Sequence, residues 1–151
     1  MRICSAAFDE LGARTGYLLW QLRSAVFVVE QECAYQDLDG DDLAPTTRHV
    51  WAEDDGGPAA YLRVLEEASG DARIGRVCVD VTRRSEGLAA RLMTAALDEI
   101  GERPCVVGAQ AHLQGWYQRF GFAVSGPEYD DDGIPHVPMR RTPATADHPA
   151  S

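Results

Sequence analysis

Hydrophobic positions along the chain change their period several times, and each change marks an element. Val77, Val79 and Val81 recur at alternate positions and predict a central strand that stops at Thr82. From Leu88 the spacing becomes helical: Leu92, Ala96 and Ile100 share one side, Met93 and Leu97 flank them, and Gly101 supplies the stop. Leu18, Leu22, Val26 and Val29 form one apolar stripe and predict an earlier helix over 17–29. Strands are predicted over 2–8, 49–52, 59–65, 104–109, 122–125 and 136–139. The second and third are joined by a turn at Asp54-Asp55-Gly56-Gly57-Pro58, and Ser69-Gly70-Asp71 turns the chain into the central strand. A short helix over 113–120 ends at Gly121, and a loop containing Asp130-Asp131-Asp132-Gly133 separates the last two strands. The order predicts a mixed α/β (α+β) domain over 1–141, followed by a frayed tail over 142–151.

Composition narrows the function classes. A chain of 151 residues is long enough for one domain that buries roughly two-thirds of its unfolded surface. No apolar run approaches the ~20 residues of a membrane span, and no signal peptide is recognisable, so no membrane role is expected. Cys4, Cys33, Cys78 and Cys105 lie far apart with no Cys-x-x-Cys pair, which fits a reduced, cytoplasmic protein and gives no metal site. Every basic residue is arginine, and lysine and asparagine are absent, as expected from a G+C-rich, bacterial genome. The net charge of −10 argues against nucleic acid as a partner.

The junction between the central strand and the next helix carries the clearest chemistry. Arg84-Ser85-Glu86-Gly87-Leu88-Ala89 is an Arg-x-x-Gly-x-Ala turn at a helix start. Unpaired backbone N–H groups and the positive end of the helix dipole make such a turn an anion site suited to phosphate. Arg73, Arg76, Arg83, Arg84 and Arg91 cluster around it and make the neighbourhood locally basic. It is neither a Walker loop nor a dinucleotide fingerprint, because the glycine spacing of both is missing.

About thirty residues beyond the turn stands Gln110-Ala111-His112-Leu113-Gln114-Gly115-Trp116-Tyr117-Gln118-Arg119-Phe120-Gly121-Phe122. Together the two segments resemble the paired signatures of the GNAT acetyltransferases. Further blocks around Leu22-Arg23, Glu30-Gln31, Tyr35 to Asp42, Arg48-His49, Gly108 to Gln114 and Asp132 to His136 resemble the ElaA-like branch. The resemblance runs from Tyr17 to Arg140. It implies a GNAT fold, with a mixed, mostly antiparallel sheet splayed between two central strands and flanked by helices.

It also implies acetyl-CoA as co-substrate and an amine acceptor, either a small molecule or a protein amine. Backbone groups of Val79 and Val81 are expected along the pantetheine arm. The amides of Ser85, Glu86, Gly87, Leu88, Ala89 and Ala90 are expected on the diphosphate, with Arg84 shaping the turn. Gln110 stands where many GNAT proteins carry asparagine. Tyr117 is expected beside the thioester sulfur, to protonate or hydrogen-bond the departing thiolate. Glu30 and His112 are the candidate bases; structural roles are assigned to His49 and His136, and no role to His148 in the tail. Dimers are common among proteins of this resemblance, which leaves monomer and homodimer both open.

Two further readings accompany this one. The residues also fit a non-catalytic acyl-CoA-binding regulatory module, although Tyr117 would have no use there, and the acyl chain transferred is open. The acidic loop Tyr35-Gln36-Asp37-Leu38-Asp39-Gly40-Asp41-Asp42 lacks the sixth-position Gly and twelfth-position Glu of a calcium loop. It reads as a turn with solvated carboxylates, and secondarily, with Asp130–Asp132, as a rim that attracts a cationic amine.

Overall fold

The computed structural model describes residues 1–143; the end of the expected tail, including His148, lies outside the described residues. Strands are β1 Arg2–Ala6, β2 Arg48–Asp54, β3 Gly57–Glu66, β4 Ala72–Val79, β5 Cys105–Gln110, β6 Ala123–Val124, β7 Tyr129–Asp131 and β8 Ile134–Arg141. Helices are α1 Phe8–Leu11, α2 Ala13–Arg23, α3 Leu88–Ile100 and α4 Gln114–Gln118. The strands form one sheet in the order β1-β2-β3-β4-β5-β8-β6, with β7 on β8. Every pairing is antiparallel except β4 with β5.

That one parallel junction shapes the molecule. β4 and β5 pair only at Ala72↔Cys105 and Arg73↔Val106, and beyond them the strands part. On its other edge β4 takes three steps against two of β3 between Tyr61↔Cys78 and Arg63↔Gly75. The extra residue is a bulge at which Arg76 adopts φ 52°. A bulge bends its strand, and here it lies where β4 leaves β5.

Alternation sends side chains of the sheet to two cores. Leu62, Val64, Ile74, Val107 and Met139 pack against Leu88, Leu92, Met93 and Ala96 of α3. On the opposite face Trp51, Tyr61 and Cys78 pack against Leu19, Leu22 and Val26. Each fully buried aliphatic side chain contributes about 1.5–3 kcal/mol, so the two apolar layers clamp the parted sheet from both sides.

Several expectations are corrected. The helix expected over 17–29 begins at Ala13, ends its α-helical part at Arg23 and continues as the wider π-helical segment Ser24–Glu30. The central strand stops at Val79, and Val81 opens a 3-10 turn, Val81–Glu86, 64% exposed. Asp80 explains the break: its Oδ1 accepts from Thr82 N at 2.9 Å and Thr82 Oγ1 at 2.6 Å, and its carbonyl accepts from Arg83 N. The helix over 113–120 is a 3-10 turn, Ala111–Leu113, followed by α4. The expected loop at Asp130–Asp132 is a hairpin, in which Asp132 and Gly133 take φ 51° and 82° and join β7 to β8.

Candidate active site

The gap between β4 and β5 has two ends, set by the two elements that leave the strands. At one end the chain runs from Asp80 through the 3-10 turn into α3. Gly87 turns it with φ 70° and ψ 23°, and no side chain caps the helix. A Cβ built on Gly87 meets nothing within 4 Å, so space lies open beside the first-turn amides. An uncapped helix start with open space beside it is a geometry that can accept an anion on its backbone N–H groups. The side chain of Leu88 is buried in the core, so this residue can offer only its amide.

The expected local basicity is corrected by the ion pairs. Arg73 binds Glu67, Arg76 binds Asp37 and Asp39, and Arg83 binds both Glu86 and Asp54. Arg91 alone of the five carries no ion pair among the described residues. Arg84 is fully engaged. Its NH1 and NH2 donate to the two oxygens of Glu30 at 2.5 Å each, and its Nε and NH2 donate to the Val79 carbonyl at 3.2 Å. The Val79 carbonyl expected on the pantetheine arm is therefore occupied by Arg84. The hydrogen bond from Arg84 also holds the Glu30 carboxyl below its usual range. A carboxylate with both oxygens committed is a poor free base, so Glu30 serves in this arrangement as the anchor of Arg84.

At the other end a cavity of about 240 Å³ opens on the face that carries α2. β4 contributes Gly75 and Arg76, β5 contributes Gly108 and Gln110, and Tyr117 of α4 and His136 of β8 complete these walls. Phe27 from the π-helical segment and Gln31 just beyond it face Tyr129, Asp131 and Asp132 of the hairpin. The two outer walls touch where Cys33 Sγ donates to the Asp132 carbonyl at 3.7 Å.

Tyr117 is 7% exposed and makes edge-to-face contacts with Trp116 and Phe122, at centroid distances of 5.0 and 5.9 Å. Burial pushes its phenol up to about 12, which keeps it protonated at neutral pH. His112 lies exposed on the 3-10 turn and is not in the cavity wall, so the expectation of a base there is corrected. His49 is fully buried, with Nδ1 2.7 Å from Tyr61 Oη and Nε2 3.1 Å from the Asp42 carbonyl; desolvation lowers its pKa.

The acidic loop is a solvated rim only in part, at exposed Asp39 and Asp41. Asp37 and Asp42 are buried beneath the sheet face. Arg23, with no exposure, donates from Nε to Asp37 at 3.1 Å and from NH1 to Asp42 at 2.6 Å. Arg63 reaches Asp39 at 2.7 Å and Asp42 at 3.1 Å, and Arg76 lies 2.9 Å from Asp37. Burial pushes Asp39 up, but the Arg63 hydrogen bond and charge outweigh it and bring the group to about 2. Three arginines thus neutralise three aspartates and tie the loop to α2, β3 and the β4 bulge.

Sequence reasoning missed this cluster and the Tyr129 arrangement. The arginines stand 14 to 39 residues from their partners, so no local pattern announces them. Tyr129 crosses β8 until its hydroxyl lies 2.3 Å from the Cβ position of Gly108, a space that glycine alone leaves free. The Asp132-Gly133 dipeptide was the available signal for the hairpin that carries it.

A sheet parted between two parallel strands, with an uncapped helix start at one end and a tyrosine-walled cavity at the other, defines the acyl-CoA N-acyltransferase class. Residues 13–143 match the acetyltransferase (GNAT) domain, and the chain belongs to that family of enzymes. It is 44% identical over 141 residues to ElaA of Escherichia coli, covering 88% of this chain and 91% of ElaA. A UPF0039 protein of Mycobacterium tuberculosis is 49% identical over 136 residues, 87% of each chain. The crystal structure of an acyl-CoA N-acyltransferase from Pseudomonas aeruginosa superposes with a TM-score of 0.89 at 40% identity, covering 94% of this chain and all of that one. The fold and the ElaA-like branch are as the sequence led one to expect. Among the described residues no helix is long and apolar enough to cross a membrane, and no group of metal-ligating side chains gathers.

Proposed function

We propose that the protein is an acetyl-CoA-dependent N-acetyltransferase that acetylates a primary amine by direct attack on the thioester. The observation that supports this most is the position of Tyr117 in the wall of a cavity that opens where β4 and β5 part. Acetyl-CoA supplies the acetyl group as a thioester already activated for attack. The backbone amides beyond Gly87 hold the diphosphate. The edge of β4 that has left β5 offers unpaired backbone N–H groups to a developing oxyanion.

Tyr117 donates a hydrogen bond to the departing sulfur. Its phenol at about 12 lies well above a thiol at ~8.5, so complete proton transfer would be uphill by about 5 kcal/mol. A hydrogen bond requires no such transfer. An alkyl ammonium of pKa ~10.4 gives up its proton at pH 7 at a cost of about 4.6 kcal/mol, so a base in the cavity is useful.

The test is calorimetric titration with acetyl-CoA, followed by thiol-release assays with a panel of primary amines. Binding together with amine-dependent release of CoA thiol is expected. Binding with no release from any amine would assign the chain to non-catalytic acyl-CoA binding, and no binding would remove the reading altogether.

A further inference from the structure

The geometry points to His136 as the base that takes the proton from the acceptor ammonium, an inference that rests on reading this cleft as an N-acetyltransferase site. Glu30 is bound through both oxygens to Arg84, His112 stands outside the cavity, and His49 has both ring nitrogens engaged. His136 differs on each count. It lines the cavity with Gly108, Gln110 and Tyr117. Its Nδ1 lies 2.8 Å from the Ile134 carbonyl oxygen. A carbonyl only accepts, so Nδ1 carries the proton and the lone pair is left on Nε2.

The ring is also held in place. Tyr129 stacks on it at 5.7 Å with 26° between the planes, and Gln110 stands directly across on β5. Gly108 is what admits the Tyr129 hydroxyl over β5, so a glycine two residues from Gln110 fixes the imidazole indirectly. The titratable and charged groups that line the cavity with His136 are Tyr129, Asp131 and Asp132 of its hairpin, Tyr117 of α4, Arg63, Arg73 and Arg76 of β3 and β4, and Cys33 and Tyr35 beside uncharged Gln31; His112 lies outside the cavity on the turn packed against β8.

In the step, Nε2 removes a proton from R–NH3+, directly or through one water, leaving R–NH2 and an imidazolium. The amine lone pair forms the C–N bond at the thioester carbonyl, whose π pair moves to oxygen. The pair returns as the C–S bond breaks and sulfur departs as thiolate, hydrogen-bonded to Tyr117. The nitrogen then releases a second proton, which neutralises the thiolate. The imidazolium returns its proton to solvent. The sum is R–NH3+ plus acyl thioester giving amide, CoA thiol and one H+.

The test is the pH profile of kcat/KM for a primary alkylamine in wild type and His136→Asn, with acetyl-CoA affinity measured in both. Asparagine can keep an N–H for the Ile134 carbonyl but removes the ring lone pair. Wild type should depend on pH less steeply than the variant, because the ring takes the proton from the bound ammonium and the free amine need not be supplied by solvent. The variant should fall about a hundredfold at pH 7 and climb tenfold per pH unit, following the free amine, with acetyl-CoA affinity unchanged. His136→Gln should give the same profile. A variant that keeps the wild-type profile would overturn the role of His136 while leaving the acetyltransferase reading intact. A wild-type protein that binds acetyl-CoA and acetylates no amine would overturn both.

Discussion

Gly87→Ala separates the conformational task of the turn from its task of binding phosphate. At φ 70° and ψ 23° a Cβ costs about 1–2 kcal/mol. Restricting the unfolded chain returns about 0.4–1 kcal/mol of that. No atom lies within 4 Å of the new Cβ, so no clash adds to the cost. The net loss of about 1 kcal/mol lowers Tm by about 2–4 °C. Such a protein is still folded, and its stability loss alone leaves affinity untouched. If the diphosphate lies against this backbone, the methyl group occupies part of its space and affinity falls tenfold or more, about 1.4 kcal/mol. Gly101→Ala is a control at the other end of α3, with ψ −128° that lies outside the left-handed helical well and so makes its stability loss the larger of the two. It too has positive φ, 68°, and open space around its Cβ, so it should lose stability and keep affinity. Calorimetric titration with acetyl-CoA and thermal melts of the three proteins decide the matter. Wild-type affinity in Gly87→Ala would refute the placement of the diphosphate at this turn.

Three further outcomes are expected. Asp42→Asn leaves buried Arg23 and Arg63 short of a carboxylate; breaking such a cluster costs about 3–5 kcal/mol, so Tm should fall on the order of 10 °C, and a loss under 1 kcal/mol in urea unfolding would contradict the described pairing. Tyr117→Phe removes a hydroxyl that makes no hydrogen bond to the described residues, so the melt should be unchanged while kcat drops about tenfold or more at constant acetyl-CoA affinity. Gly108→Ala places a Cβ 2.3 Å from the Tyr129 hydroxyl and should cost about 1–3 kcal/mol; in a Tyr129→Leu background most of that cost should vanish, and an equal cost in both backgrounds would show that Tyr129 is not what the methyl meets.

Where the sequence was legible, one element carried both its pattern and its boundaries. The range of α3 was readable because Leu92, Ala96 and Ile100 share a face, Gly87 opens it and Gly101 ends it. The two-residue period of 77–81 misled at one end only. Val81 continues the alternation, but Asp80 captures the backbone two residues on and turns the chain before Val81 can pair. The helix over 17–29 misled in the opposite sense. Its stripe of Leu22 and Val26 is buried as read, yet the backbone widens at Ser24, and hydrophobic spacing does not distinguish an i−4 ladder from an i−5 one.

The acidic loop shows why the site was less legible than the fold. Read locally, Asp37, Asp39 and Asp42 are turn residues with water around them. Folding carries Asp37 and Asp42 under β3 and β4, where charges can remain only if other charges arrive with them, while Asp39 stays at the exposed edge of the cluster. Arg23 comes from the end of α2, Arg63 from the middle of β3 and Arg76 from the bulge that bends β4 away from β5. Each arginine breaks the hydrophobic pattern of its own element, and the reason lies in another. The same pairing explains how an acidic chain presents an anion cradle. Arg73, Arg76, Arg83 and Arg84 are committed to carboxylates, so under the proposed function a diphosphate is met chiefly by backbone N–H groups at the start of α3, with Arg91 the one arginine of the five that carries no ion pair among the described residues. Those donors are a property of chain direction, present whatever the net charge, and Gly87 is the residue that leaves them uncovered.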